Sequence, residues 1–287
     1  MARESGDQHS ISRRMFLLKA VGAAALIGGG YYWGSEEIRR VSVEKVTVVI
    51  PGLPRGLVGL TVGHFSDLHF GFGYYNSRAR VRKIIELINA QEPELIVFTG
   101  DLMDRSVSLR KAMEISLSGL RARYGVYSVF GNHDHDVGLK FVGEVLSRDG
   151  ILVLRNQNVL LQRGGERFLL AGVDDPLTGK PDLVKALQSD EPVALKVLLA
   201  HTPDFVQHAA SYGVHVQLSG HSHGGQIHLP LIGGVYYPRM ARRYREGLGK
   251  VEEKSTLVYT NRGLGTTVLP VRLGCLPELT LLKFSDA

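Results

Sequence analysis

Apolar residues in this chain fall into short runs, and most runs end on a polar cluster. Alternation of Val43, Lys45, Thr47 and Val49 against Val46, Val48 and Ile50 predicts a strand, which Pro51-Gly52-Leu53-Pro54 turns. A second strand is predicted over 57–65, ending at Ser66-Asp67-Leu68-His69. Val81, Ile84, Ile85 and Ile88 share one face of a helix predicted over 78–90. The run 95–98 reads as a buried strand ending at Gly100-Asp101. A helix over 108–121 follows, then a strand over 125–130 ending at Gly131-Asn132-His133-Asp134, and a helix over 137–148. Segments 159–162 and 167–173 form a hairpin through Gly164-Gly165. A helix over 183–187, a strand over 197–200 ending at His201, a helix over 203–210 and a strand over 214–219 ending at Gly220-His221 complete the pattern.

Five strands therefore end in Gly, Asp, Asn or His clusters, with helices between most of them. In open α/β sheets the loops at the carboxyl ends of strands form the ligand crevice, so the five clusters can converge. No internal repeat or long low-complexity segment interrupts the pattern, which predicts one domain over 41–287.

Residues 1–40 read differently. Ser12-Arg13-Arg14-Met15-Phe16-Leu17-Leu18-Lys19 leads into an apolar stretch from Ala20 to Trp33, the plan of an export segment. The paired arginines before Phe16-Leu17 resemble a twin-arginine translocation signal. Ala23-Ala24-Ala25 offers small residues for cleavage, but the apolar stretch continues past it. Spanning a bilayer takes roughly 20 apolar residues, and Lys19 interrupts the run. The expectation is a signal or membrane anchor plus a short linker. The export machinery is then a partner, and the following domain lies outside the cytoplasmic membrane, released or tethered.

Composition narrows the chemistry. With 44% hydrophobic and 22% charged residues, 287 residues can bury a core unaided. The lone Cys275 rules out an intrachain disulfide and a thiolate metal cluster. A net charge of +6 suits anionic partners.

Any metal site must use His, Asp, Glu and Asn. Asp67 and His69 stand two residues apart past a strand end, as do His221 and His223, where Gly220, Gly224 and Gly225 let the backbone turn tightly. Asp101 and Asp104 bracket a short turn, and Asn132, His133 and Asp134 are consecutive. Mixed oxygen and imidazole donors suit Mn, Fe, Zn, Co or Ni, and argue against calcium or magnesium alone. Such ligands are too many for one tetrahedral ion and about right for two ions sharing a bridge.

Taken in order, Asp67-x-His69, Gly100-Asp101-x-x-Asp104, Gly131-Asn132-His133-Asp134, His201 and Gly220-His221-x-His223 resemble the five-block signature of the calcineurin-like metallophosphoesterases. The tail from Asn261-Arg262-Gly263 through Leu269-Pro270-Val271-Arg272 to Pro277-Glu278 resembles an exported, twin-arginine-dependent bacterial branch. The resemblance implies an α/β fold, a four-layer αββα sandwich of two mixed β-sheets flanked by helices. It implies that Asp67, His69 and His223 hold one divalent ion, that Asn132, His201 and His221 hold a second, and that Asp101 bridges them. Mn, Fe or Zn would fill the sites.

The implied activity is hydrolysis of a phosphate ester, a phosphodiester in the first instance, by a two-metal-activated hydroxide. His133 would be the general acid, held by Asp104, with Asp134 bracing the loop. Two alternatives accompany this reading: a UDP-2,3-diacylglucosamine-type pyrophosphate hydrolase of lipid A synthesis, and a non-catalytic scaffold of the same fold.

Other residues carry weaker signals. His64 and His215 lie within strand patterns and read as core, whereas His135 and His228 adjoin the blocks. Arg262 reads as a phosphate ligand or a surface salt bridge. Arg239, Arg242, Arg243 and Arg245, interleaved with Tyr236, Tyr237, Met240 and Tyr244, read either as a solvated loop or as a basic flap meeting membrane or a lipid-linked substrate. No continuous basic stripe for nucleic acid is present, and no nucleic-acid partner is expected.

Overall fold

The computed structural model describes residues 13–252 and 254–287. The start of the predicted export segment, including Ser12, lies outside the described residues. The chain runs α1 (Arg13–Glu37), β1 (Ser42–Val49), β2 (Thr61–Phe65), α2 (Arg78–Asn89), β3 (Leu95–Phe98), α3 (Leu109–Ala112) and β4 (Val126–Ser128). It continues through α4 (Asn132–Val137), α5 (Leu139–Arg148), β5 (Leu152–Val153), β6 (Gln157–Arg163), β7 (Glu166–Gly172), α6 (Leu183–Leu187) and β8 (Leu195–Leu199). The last elements are α7 (Val206–Ala209), β9 (Val216–Ser219), β10 (His228–Leu229), β11 (Gly233–Gly234), β12 (Gly247–Lys250), β13 (Leu257–Thr260) and β14 (Glu278–Ser285).

Two six-stranded sheets, ordered β1-β14-β2-β3-β4-β5 and β12-β13-β9-β8-β7-β6, form the frame. Both mix parallel and antiparallel pairs. Side chains alternate across each strand, so every strand serves two layers. Leu95 and Val97 of β3 meet Phe168 and Leu170 of β7 and Val197 of β8 in the core between the sheets. Ile96 and Phe98 point the other way, onto Ile84, Ile85 and Ile88 of α2 and Val142 and Leu146 of α5. Leu169, Ala171 and Leu198 cover the outer face of the second sheet with Leu183 and Ala186 of α6. This is the two-sheet sandwich with flanking helices that the family resemblance implied.

Strands β2, β3 and β4 run parallel, as do β7, β8 and β9. Their carboxyl ends therefore share one edge within each sheet, and the polar clusters follow there.

Several boundaries differ from expectation. The helix expected over 108–121 shrinks to α3, because Asp149 captures Leu117 N at 2.6 Å and Gly119 adopts φ +103°. The expected strand start at Leu57 is a turn around Gly59 (φ +86°), although Leu57 and Leu60 are buried. The helix expected over 137–148 is α5, which starts at Leu139, and Gly138 at φ +114° parts it from a second helix, α4, not anticipated over Asn132–Val137. Segment 203–210 forms α7 only over its second half, after a 3₁₀ turn at Pro203–Phe205. β12, β13 and β14 were not anticipated. β14 lies between β1 and β2, parallel to the first and antiparallel to the second, so the chain's end closes the sheet begun by β1.

Helix α1 ends on the domain. Ile38 is buried, Arg272 N donates to Gly34 O at 3.1 Å, and Gly274 N donates to a Glu37 carboxylate oxygen at 2.6 Å. Among the described residues no helix is long and apolar enough to cross a membrane.

Candidate active site

The loops after β2, β3, β4, β8 and β9 meet at one buried place. Asp67, His69 and His223 bring ligand atoms within 4.8 Å of one another, as do Asp101, His201 and His221. His69, Asp104 and His133 form a third such group. His69 links the first and third groups, and its Nε2 lies 3.5 Å from Asp101 of the second.

The donors point inward, and some of them find no partner. Nε2 of His69 and Nε2 of His223 face each other at 3.1 Å. His201 Nε2 stands 3.2 Å from Asp101 Oδ2 yet makes no hydrogen bond, and Asn132 Oδ1 is buried without a partner. Buried polar atoms are ordinarily paired, so these orphans mark a place built for a cation. Two of the imidazoles are held from behind by backbone carbonyls, as metal-bound histidines commonly are. His201 Nδ1 donates to Thr99 O at 2.6 Å, and His221 Nε2 donates to Arg239 O at 2.9 Å. The donor set fits divalent ions of the kind the sequence suggested.

The backbone is bent to this arrangement. Asp67, His69, Asp101, His221 and His223 all have φ between +45° and +65°. Left-handed conformations cost side-chain-bearing residues about 1 kcal/mol or more, and they persist where the surroundings over-determine them. Gly220 and Gly131 are glycines for another reason. Neither has a positive φ. A Cβ at Gly220 would stand 2.2 Å from Asp67 Oδ2, and one at Gly131 would stand 2.3 Å from Asp101 Oδ1. Gly220 therefore admits a carboxylate and does not serve the tight turn expected of it, whereas Gly224 and Gly225 do turn the chain with φ +56° and +77°.

Charge inside the site is strongly biased. Burial works against protonating His69, but the Asp104 and Asp67 carboxylates outweigh it and push its pKa up to about 9. Burial likewise opposes charge on His201, and Asp101 raises it well above the ordinary imidazole range. Burial acts against ionising Asp101, yet His201 holds it well below the usual carboxylate range. Burial and the charge of His201 keep His221 low, and burial keeps His223 well below its ordinary value. The carboxylates demand positive charge here, which protons or divalent cations can supply.

Asp104 and Asp134 act behind these residues. Asp104 Oδ2 stands 3.5 Å from Nδ1 of both His69 and His133, so it faces two imidazoles where one was expected. Asp134 braces the loops: its carboxylate accepts from the backbone N–H of Asp101 (2.8 Å), Leu102 (2.9 Å) and Gly131 (2.9 Å). Burial and the charge of Asp101 push its pKa up to about 6.

A model of the calcineurin-like phosphoesterase family matches residues 60–225, the segment that carries every one of these side chains. The chain belongs to that family. The chain is 35% identical over 285 residues to the uncharacterized metallophosphoesterase YkuE of Bacillus subtilis, covering 96% of this chain and 98% of the relative. It is 33% identical over 223 residues to the phosphodiesterase YaeI of Escherichia coli, covering 76% and 79%. Among solved structures, a 5'-nucleotidase precursor from Thermus thermophilus superposes with a TM-score of 0.46 at 19% identity, covering 71% of this chain and 49% of that one.

The weaker candidates of the sequence take structural places. His64 is fully buried and bonds Thr99 Oγ1 at 2.9 Å, as a core residue. His215 accepts from Lys196 N at 3.0 Å. His135 is tied to Asp174 at 2.9 Å, and His228 bonds Gly224 O. Arg262 forms the salt bridge, at 2.7 Å from both Glu278 and Glu44.

Sequence reasoning missed Arg272. Its guanidinium is wholly buried and donates to Gly265 O at 2.9 and 2.7 Å, to Arg262 O at 2.7 Å and to His223 O at 3.3 Å. It clamps the carbonyl of a candidate ligand from a loop some fifty positions away, and no local pattern announces that. Asp174 and Asp175 were also passed over, although they end β7 in the same manner as the recognised clusters.

Proposed function

We propose that this protein is a phosphodiesterase that works with two divalent ions, one held by Asp67, His69 and His223, the other by Asn132, His201 and His221, with Asp101 between them. The observation that carries this reading is the pair of buried carboxylate–imidazole groups in which His201 Nε2 and Asn132 Oδ1 are left without partners and His69 Nε2 faces His223 Nε2 at 3.1 Å. The YaeI relative, named a phosphodiesterase, supports the diester preference.

When bound, two such ions polarise phosphoryl oxygens and acidify water at neutral pH. Mn, Fe and Zn all accept this donor set. His133 delivers the proton to the leaving oxygen, with Asp104 aligning its Nδ1. Asp134 keeps the loops bearing Asp101 and Asn132 in register.

Metal-loaded protein should hydrolyse bis(p-nitrophenyl) phosphate, and Asp101→Asn should abolish turnover while leaving the circular dichroism unchanged. Absence of both metal binding and turnover with any divalent ion refutes the reading.

Residues 1–40 supply the address in this proposal, as a twin-arginine signal or anchor that places the domain of residues 41–287 outside the cytoplasmic membrane. Arg13→Lys with Arg14→Lys should leave the protein in the cytoplasm, and unchanged export would sink this part.

A further inference from the structure

Three segments next to the candidate site expose large apolar side chains together. The first is the β10–β11 ribbon, which begins three residues after Gly225 and closes on it, with Gly234 Cα 2.8 Å from where a Gly225 Cβ would lie. At its tip Leu231 and Ile232 are 108% and 73% exposed, and Val235 and Tyr236 beside them are also exposed. The second is the loop before Arg272, where Val268 and Leu269 stand out. The third is the last part of α1, with Tyr31, Tyr32 and Trp33 exposed.

Hydrogen bonds join all three, beginning with the side chain of Gln226. Gln226 accepts from Thr267 N at 2.9 Å and donates to Leu269 O at 2.9 Å. Ile227 bridges Leu273, and His228 N donates to Leu273 O at 2.7 Å. Residues 272 and 274 in turn hold Gly34 and Glu37 of α1. The same loop carries the Arg272 that clamps His223. Exposed apolar residues scattered singly mean little, but a contiguous cluster marks an interaction surface.

We propose that this apolar rim docks on an anionic lipid bilayer, with the ribbon tip inserted at the headgroup level. Two features of the surface select a bilayer. Arg239, Arg242 and Arg245 are exposed in the segment that follows the ribbon, and Arg245 lies 4.7 Å from the centre of the Tyr237 ring that packs against Gly234. Cations flanking inserted aliphatics match anionic headgroups. The apolar α1, with aromatics at its domain-proximal end, leaves from the same rim, and tyrosine and tryptophan favour the membrane interface. Resting on the phosphoesterase reading above, the surface gives the site a substrate class: phosphodiesters carried in lipid headgroups.

The test uses the full chain and vesicles of phosphatidylcholine with or without phosphatidylglycerol. Trp33 is the single tryptophan, so its emission reports on α1. Ile232→Trp in a Trp33→Phe background reports on the ribbon tip, independently of metal and turnover. The introduced tryptophan should shift to the blue on anionic vesicles and be quenched by lipids brominated near the headgroup. An unchanged emission, while Trp33 of the parent protein does shift, overturns the proposal by assigning binding to α1 alone. A shift that occurs without lipid and grows with protein concentration also overturns it, since a second copy then covers the rim.

In the parent ribbon, Leu231→Asp with Ile232→Asp should lower hydrolysis of a vesicle-borne diester about 100-fold, as expected for two large aliphatics leaving an apolar phase. Soluble bis(p-nitrophenyl) phosphate should be cut as before. Equal loss on both substrates counts against the proposal. Failure of the unaltered protein on both would refute the phosphoesterase reading, with the fluorescence result still deciding the docking surface.

Discussion

Substituting Gly220 by alanine adds one methyl group, yet it should disable the candidate metal site. The new Cβ would lie 1.9 Å from Ser66 Oγ and 2.2 Å from Asp67 Oδ2. Comfortable non-bonded separations are about 3.5 Å, so the Asp67 carboxylate or the β9 end must retreat by about 1 Å. Asp67 also accepts from His221 N at 2.9 and 3.2 Å, so retreat strains the bonds that align the two ligand loops.

Overpacking costs about 1–3 kcal/mol, and loss of a charge-assisted bond adds about 1.5 kcal/mol. A displacement of this size at a reacting centre costs about 100-fold in turnover. Metal content by mass spectrometry, thermal unfolding and turnover of a soluble diester would read the three consequences separately. Gly143→Ala is the control: it lies within α5, its Cβ would meet only Phe130 Cζ at 3.5 Å, and helix propensity makes it neutral or stabilising. Wild-type metal content and turnover in Gly220→Ala would refute the claim that carboxylate approach dictates this glycine.

Two further outcomes follow from the same geometry. Burial depresses the His64 pKa from 6.5 to about 3, so between those values the unfolded chain binds a proton that the folded chain refuses. Stability should therefore fall as pH drops through this window, by up to about 5 kcal/mol at 1.36 kcal/mol per unit. Urea midpoints at pH 7 and pH 4.5 should differ more for the natural protein than for His64→Gln, and equal differences would contradict the assignment. Asp134→Asn keeps one acceptor oxygen but turns an amide toward one of three N–H donors, which costs about 1–3 kcal/mol. Isothermal titration should show metal affinity about 10–100-fold weaker, and an unchanged affinity would remove Asp134 from the bracing role.

Much of this was open to reading along the chain. Strands repeat every two residues and helices every 3.6, so runs such as Leu95–Phe98 and the face Val81, Ile84, Ile85 and Ile88 declare their elements locally. Polar clusters at the ends of such strands are equally visible, and with them Asp67, His69, Asp101, Asn132, His201, His221 and His223. β14 escaped because Thr280 and Lys283 break its apolar run and its partners lie at the far end of the chain.

Tertiary structure alone decided the relations among the residues. His69 and His223 are 154 positions apart, yet their imidazoles face each other at 3.1 Å. The sharing of Asp104 between His69 and His133, the space that Gly220 yields to Asp67, the Arg272 clamp and the seat of α1 are contacts of the same kind. Each depends on how two sheets pack and how their edges align, a distance through space that no local periodicity records.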